Sequence, residues 1–307
     1  MSDRLIDMSV EIAGLKLKNP VIAASGTFGF GREYNDYMDI NLLGGISVKG
    51  LTLEPRQGNK PPRIAETPAG ILNSVGLQNP GVKAFIENEI PFLRRYNTLI
   101  IANIAGNTIE EYCEMAEMLS EADIDAVELN VSCPNVKKGC VAFGNTIGGI
   151  SEITKKVRPF CKKPLIVKLT PNVTDIKEIA IAAESEGADA LSLINTILGM
   201  AIDIHRRRPI LANNMGGLSG PAVKPVAVRM VYEVSGAVKV PVIGMGGISN
   251  GDDAVEFMLA GASAVMVGTS NFVNPTACVD VAQGIENYLK MYKHNNVYEI
   301  IGKLTTY

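Results

Sequence analysis

The sequence has no tryptophan, only two histidines and only five cysteines in 307 residues. His205 and His294 are too few for a histidine-based metal centre or a Ser-His-Asp triad. The cysteines are odd in number and form no CxxC pair, which fits neither a disulfide framework nor an iron–sulfur or zinc site. We therefore predict no metal, and free thiols suit a reducing compartment. The five are Cys113, Cys133, Cys140, Cys161 and Cys278.

Excess charge and long apolar runs are also absent. Lys and Arg number 29 against 32 Asp and Glu, a net charge of −3, which gives no electrostatic footprint for nucleic acid or anionic lipid. No stretch reaches the roughly 18 apolar residues of a membrane span, and the opening MSDRLIDMSV does not resemble a signal peptide. We expect a cytoplasmic protein with no membrane partner, and its 47% apolar content predicts a large core.

Short runs rich in Val, Ile and Leu alternate with stretches of helical spacing along the whole chain. Eight alternations predict an α/β fold, a (β/α)8 barrel, as a single domain spanning residues 1–307. The predicted strands are Val21–Ser25, Gly45–Val48, Leu99–Ile104, Ala126–Val131, Leu165–Leu169, Ala190–Asn195, Val242–Met245 and Ala264–Val267. The predicted helices include Thr108–Glu121, Ser151–Arg158, Asp175–Gly187, Val223–Val234 and Gly251–Gly261, with Thr174 and Asn250 as caps. A doubly wound open sheet is the alternative, but its GxGxxG turn does not occur.

Two further features belong to this barrel. SVEIAGLKLKNP alternates around Gly14 and predicts an N-terminal hairpin that closes the lower end. Three connections after strands are unusually long, and long loops on that face of a barrel build active sites. They are Gly50–Pro80, Pro134–Gly149 and Thr196–Pro221.

Polar residues end five of the predicted apolar strands. One such residue ordinarily caps the following turn, but five on one rim favour a binding ring with two positive charges. We expect this ring to suit a planar, polar, anionic heterocycle. Its members are Lys49, Asn103, Asn130, Lys168 and the pair Asn195–Thr196.

Glycines follow the seventh and eighth predicted strands. Gly246 and Gly247 precede a helix that starts near Asn250, and Gly268 with Thr269 ends the next strand. Glycine allows close backbone approach, and helix N-terminal amides bind anions, so these turns predict a phosphate site. Ordinary turns that need positive φ are the alternative. GGLSGP, residues 216–221, adds a flexible approach from the sixth loop.

Two loop segments complete the candidate site. Cys133 lies in NVSCPN beyond the fourth strand, where a thiol near cations can act as a general base, although an isolated cysteine is more often inert. The segment Asn73–Leu77 shows neither helical nor strand periodicity, and beside Lys49 it could fold over a ligand.

Together these motifs resemble the class 1 dihydroorotate dehydrogenases. The matching pieces are NPVIAASGTFGFGREY, SVKGLTLEPRQGN, LNSVGLQNPG, NVSCPN, KLTPN, INT, GGLSGP, GMGGI and VGTS. SGTFGFGREY, residues 25–34, resembles the class 1B catalytic subunit in particular.

The resemblance implies an FMN-dependent barrel that oxidises (S)-dihydroorotate to orotate in pyrimidine biosynthesis. Cys133 would take a proton from C5 of the substrate while hydride leaves C6 for N5 of the flavin. The implied substrate-binding residues are Lys49, Asn73, Ser74, Val75, Gly76, Leu77, Asn130, Asn195 and Thr196. The implied FMN-binding residues are Ser25, Lys49, Gly50, Asn103, Asn130, Lys168, Ile194, Gly220, Gly246, Gly247, Gly268 and Thr269.

The resemblance also implies partners. Because the chain lacks a dinucleotide fingerprint and cluster spacing, NAD+ as final acceptor requires an electron-transfer subunit with FAD and a [2Fe-2S] cluster. The implied assembly is a heterotetramer built on a homodimer of catalytic chains. Alternatives are a fumarate-dependent class 1A homodimer, a dihydropyrimidine dehydrogenase-like flavoprotein and a non-catalytic phosphate-binding barrel.

Overall fold

A closed barrel of eight parallel strands forms the centre of the computed structural model, which describes residues 6–131 and 143–307. Each strand pairs with the next in chain order, and the eighth pairs with the first. This confirms the predicted (β/α)8 barrel. In order, the first to eighth barrel strands are Val21–Ala23, Gly45–Ser47, Leu99–Ile104, Ala126–Asn130, Leu165–Lys168, Ala190–Leu193, Val242–Met245 and Ala264–Val267.

The barrel strands are apolar on both faces because one face fills the barrel and the other packs against helices. Several end earlier than the sequence predicts. The first was predicted to reach Ser25 and ends at Ala23, and the sixth was predicted to reach Asn195 and ends at Leu193. Beyond these points the backbone leaves the ladder, so the polar residues that follow are carried onto the rim.

Helices cover the outside of the barrel, and side-chain caps start several of them. The long helices are Ile109–Ser120, Ile147–Val157, Ile176–Ser185, Lys224–Ser235, Gly251–Leu259 and Ala277–Met291. Thr108, Thr146, Asp175 and Asn250 each accept a hydrogen bond from an amide in the first turn.

Two predicted helix starts were wrong. The helix predicted from Ser151 begins at Ile147, where Thr146 caps it, because two adjacent glycines obscure its first turn in the sequence. The cap predicted at Thr174 is instead Asp175, whose carboxylate accepts from the amide of Lys177.

Short helices are Val82–Ala84, Phe85–Glu89 (a π-helix), Ile90–Leu93 and Ser270–Val273. No helix in the two described ranges is long and apolar enough to cross a membrane.

The predicted N-terminal hairpin is present, with Val10–Ile12 antiparallel to Leu15–Leu17. Val10, Ile12 and Leu17 are buried in the core. Just after the hairpin, the Lys18 ammonium donates to the carbonyl of Asn41 at 2.7 Å and to that of Asn97. These carbonyls precede the second and third barrel strands, so the hairpin lies at the amino-terminal end of the barrel.

Two of the long loops contain strands that the sequence did not reveal. The loop after the second barrel strand holds Ile64–Thr67 and Gly70–Asn73, so the absence of strand periodicity near Asn73 was misleading. The loop after the sixth holds Ile197–Gly199, Gly216–Ser219 and a pair formed by Ile202–Asp203 with Arg208–Pro209. Four of these strands form one antiparallel sheet that joins the two loops, and we call it the accessory sheet. Its strand order is Ile197–Gly199, Gly216–Ser219, Gly70–Asn73 and Ile64–Thr67.

Candidate active site

A cleft of about 230 Å³ opens at the carboxyl ends of the barrel strands, beneath the accessory sheet. Seventeen of the twenty predicted site residues line it. From the strand ends and the first two loops these are Ser25, Lys49, Gly50, Asn73, Val75, Gly76, Leu77, Asn130 and Lys168. From the later strands they are Ile194, Asn195, Thr196, Gly220, Gly246, Gly247, Gly268 and Thr269.

The other three predicted residues are Ser74, Asn103 and Cys133. Ser74 is fully buried and does not line the cleft. Asn103 lies behind the wall at Gly50, where an added Cβ would come within 2.9 Å of the Asn103 Oδ1 atom. Cys133 lies outside the described residues, so its predicted role as the base stays a prediction.

Two lysines give the cleft its charge. Lys49 follows the second barrel strand, and its amide donates to the carbonyl of Gly29 at 3.0 Å. Lys168 ends the fifth strand and is 5% exposed. Among the described residues that line the cleft there is no carboxylate. The cleft therefore favours an anionic ligand.

A buried carboxylate that the sequence reasoning missed lies directly beneath this wall. Glu128, in the middle of the fourth barrel strand, is 0% exposed. Its Oε1 atom lies 3.6 Å from the Lys168 ammonium and accepts from the Ser192 hydroxyl at 2.7 Å. Its Oε2 atom accepts from the Ser47 hydroxyl at 2.7 Å and from the Asn103 amide at 2.5 Å. A glutamate between the apolar residues Val127 and Leu129, in the middle of a predicted buried strand, was the sequence feature that could have revealed it.

The surroundings of Glu128 decide its ionisation. Burial by itself raises the pKa of the carboxyl, but the Lys168 ammonium and the bonds from Ser47, Ser192 and Asn103 outweigh it. The pKa therefore falls below its usual value, and the carboxylate is ionised at neutral pH.

The glycine turns form the opposite end of the cleft. Gly246 and Gly247 have φ of 130° and 79°, and Asn250 caps the helix that follows. Within the described ranges, the hydrogen bonds include none donated by the amides of Gly247, Gly268 or Thr269. Exposed backbone amides beside a helix start are suited to a phosphate group.

Gly268 tests whether the cleft suits a bound cofactor. Its φ lies outside the left-handed region, and an added Cβ would meet protein atoms only at 3.6 Å and beyond. The fold itself therefore does not require glycine here, whereas a ligand in the cleft would need the space. The lysines, amides and open backbone fit a flavin mononucleotide, which carries a phosphate at one end and a polar ring system at the other.

The segment over the cleft is held by buried polar contacts. Gly76 and Leu77 both have positive φ, 78° and 57°. Asn79 donates to the carbonyl of Leu77 at 2.7 Å and accepts from the amides of Thr52 and Gly81. The turn that places Asn73 to Leu77 over the cleft is thus fixed at its far end.

The sixth loop completes the wall. The Thr196 side chain lies against Gly217, where an added Cβ would be 2.0 Å from its Oγ1 atom. The Asn73 amide donates to the carbonyl of Gly217 at 3.4 Å. Two predicted substrate-binding residues from different loops, Asn73 and Thr196, are therefore brought to the same glycine.

Three cysteines in the described ranges match the expectation of inert thiols. Burial raises the pKa of Cys113 and Cys161, and it raises that of Cys278 to about 12. Among the described residues no three His, Cys, Asp or Glu side chains are grouped as metal ligands.

Comparison with known proteins decides the family. The family model for dihydroorotate dehydrogenase matches residues 7–289. The chain belongs to the dihydroorotate dehydrogenase family. It is 64% identical over 299 residues to the dihydroorotate dehydrogenase B (NAD(+)) catalytic subunit of Alkaliphilus metalliredigens, covering 97% of this chain and 99% of that protein.

Other relatives in the dihydroorotate dehydrogenase family have the same description. The protein of Thermoanaerobacter pseudethanolicus is 60% identical over 299 residues, with 97% and 99% of the two chains covered. That of Bacteroides thetaiotaomicron is 57% identical over 301 residues, with 98% and 99% covered. All three are class 1B catalytic subunits by description, which agrees with the resemblance of SGTFGFGREY to class 1B.

Proposed function

We propose that this chain oxidises (S)-dihydroorotate to orotate with FMN as its cofactor, as the catalytic subunit of an NAD+-dependent enzyme. The observation that carries the proposal is the cleft itself. It joins two lysines, several amides and the exposed amides of two glycine turns on the active face of a barrel of this family.

The cofactor would extend from the glycine turns toward the lysine wall. Gly247, Gly268 and Thr269 would hold its phosphate, and Asn130 and Lys168 would contact the ring system. Bound FMN supplies a two-electron acceptor for hydride. The Lys168 ammonium would stabilise the negative charge that reduction places on the ring.

The substrate is a flat carboxylate with imide edges. Lys49 offers its carboxylate a positive charge, and the amides of Asn73, Asn130 and Asn195 offer donors and acceptors to the imide edges. Cys133 would remove the proton from C5. A thiol of ordinary pKa near 8.5 is only a few per cent ionised at pH 7, so nearby cations would favour its thiolate.

The decisive experiment is anaerobic reduction of the FMN-loaded protein. Dihydroorotate should bleach the yellow flavin, and dihydrouracil, which lacks the carboxylate, should not. A colourless protein after FMN addition would overturn the proposal in favour of a phosphate-binding barrel. Bleaching by dihydrouracil alone would favour a dihydropyrimidine dehydrogenase-like activity.

The same sample tests the electron acceptor. We expect the isolated chain to reduce artificial acceptors or oxygen but to reduce NAD+ poorly, because NAD+ needs a partner subunit with FAD and a [2Fe-2S] cluster. Co-expression with such a subunit should give NAD+ reduction and a heterotetramer of two catalytic and two electron-transfer chains, built on a catalytic homodimer, by light scattering. Rapid reoxidation of the isolated chain by fumarate would instead indicate class 1A.

A further inference from the structure

Glu128 does not line the cleft, yet hydrogen bonds and an ion pair connect it to two residues that do, Lys168 and Asn130. It lies one layer below the wall, and its side chain connects four other barrel strands through Ser47, Asn103, Lys168 and Ser192. A carboxylate at this depth costs free energy unless its charge is compensated. The negative charge of Glu128 must therefore be compensated by these partners.

One arm of the network reaches Lys168. The ammonium lies 3.6 Å from Glu128 Oε1, and the Ser192 hydroxyl holds the same oxygen at 2.7 Å. Lys168 is 5% exposed, so a nearby anion offsets the free-energy cost of burying its ammonium. Glu128 faces it from the fourth strand, and the described sixth strand, which flanks it on the other side, has no charged residue.

The other arm reaches Asn130 through an amide. Asn103 donates to Glu128 Oε2 at 2.5 Å, which directs its Oδ1 atom away, and Asn130 donates to that Oδ1 at 3.4 Å. Glu128 thereby sets the orientation of the Asn103 amide. That orientation presents the Asn103 Oδ1 atom, rather than its NH2 group, to the Asn130 amide.

We infer that Glu128 is a positioning residue that holds the Lys168 ammonium and the Asn130 amide in place at the cofactor-facing wall, and so sets the affinity and reduction potential of the flavin. This inference rests on the proposed FMN function. It adds a residue that does not line the cleft and acts through residues that do.

The replacement Glu128→Gln keeps the size of the side chain and removes its charge. With the anion beside the Lys168 ammonium removed, the reduced flavin anion is favoured and the potential should rise above that of the unmodified protein. Lys168 and Asn130 also lose the contacts that hold them in place, so FMN affinity should weaken by on the order of tenfold.

The experiment compares Glu128→Gln, Lys168→Gln and the double variant, with FMN titrated into each apoprotein and the flavin potential measured at one pH. Lys168→Gln should lower the potential, because the reduced flavin loses a nearby positive charge. Because Glu128 acts through Lys168, the double variant should differ from Lys168→Gln by less than Glu128→Gln differs from the unmodified protein, so the two effects are not additive. Glu299→Gln, which alters a carboxylate paired with His294 far along the sequence, serves as a matched control and should change neither quantity.

Several results would overturn the inference. A folded Glu128→Gln protein with unchanged FMN affinity and potential is one, and additive single and double variants are another. If Glu128→Gln does not fold, Ser192→Ala removes one bond to Oε1 and should shift the potential, and an unchanged potential would reject the inference. Failure of the unmodified protein to bind FMN would reject the proposed function instead.

Discussion

Asn130 and Lys168 stand opposite each other in the parallel register of the fourth and fifth barrel strands, and both side chains line the cleft. Strand pairing thus places an amide beside an ammonium. Glu128, two residues before Asn130, faces the same interior and pairs in register with Ile166. The polar wall and the carboxylate beneath it are consecutive inward positions of one strand.

Lys49→Ala tests recognition of the substrate carboxylate. Loss of a charge-assisted bond should raise the KM for dihydroorotate by on the order of 10- to 100-fold, with a smaller effect on kcat. Steady-state kinetics with an artificial acceptor measures both constants. Lys60→Ala, in the same loop but exposed and away from the cleft, should leave KM unchanged. Equal KM values for both variants would contradict the role of Lys49.

Cys133→Ser tests the predicted base. Stopped-flow reduction of bound FMN by dihydroorotate should slow by on the order of 10² or more, because a serine hydroxyl is a much weaker base than a thiolate. Cys113→Ser, at a cysteine outside the cleft, should react at the unmodified rate.

The pH profile of that reaction provides a second measure of the base. In the unmodified protein the rate should rise from pH 6 toward 9 as the thiolate forms. A flat profile, or a serine variant as fast as the parent, would show that another group removes the proton.

Gly268→Ala and Gly247→Ala distinguish a glycine that leaves room for a ligand from one that the backbone conformation requires. At Gly268 the new methyl meets protein atoms at no less than 3.6 Å, so the apoprotein should keep its Tm while FMN affinity falls by on the order of tenfold or more. At Gly247, φ is 79° and the methyl would lie 2.8 Å from the carbonyl oxygen of Gly220, so the Tm itself should fall. Thermal melts and FMN titrations check both. Unchanged FMN affinity in Gly268→Ala would argue against a cofactor at this turn.

Acid should reduce the stabilising effect of the Glu128 charge. The folded-state pKa of this carboxyl lies below its ordinary value of 4.5, so the unfolded chain takes up the proton more readily. The resulting stability is present above pH 4.5 and is lost as pH falls through the lower folded-state pKa. Urea unfolding of the apoprotein should therefore show the difference in unfolding free energy from Glu128→Gln shrinking below about pH 4.5. A difference that stays constant with pH would contradict this assignment.

The barrel could be predicted from the sequence because each of its strands is a short apolar run and its helices carry local caps. The positions of Lys49, Asn130 and Lys168 at the cleft could also be predicted, because a polar residue at the end of an apolar run has few structural explanations. Their convergence follows from the parallel order of the strands.

Other features depend on contacts between distant segments. The strand Gly70–Asn73 pairs with Gly216–Ser219, more than 140 residues further along, and neither segment alternates in polarity. Glu128 was overlooked because its partners come from four different strands. The Asn103 amide donates to Glu128, and its predicted contact with FMN stays a prediction.

The accessory sheet has a mechanical consequence. Gly70–Asn73 and Gly216–Ser219 are hydrogen-bonded to each other as antiparallel strands. The loops after the second and sixth barrel strands are therefore joined above the cleft and cannot move independently. Enlarging the cleft for a bulkier pyrimidine would thus require redesign of both segments together. A change in one strand alone would disrupt its hydrogen bonds with the other.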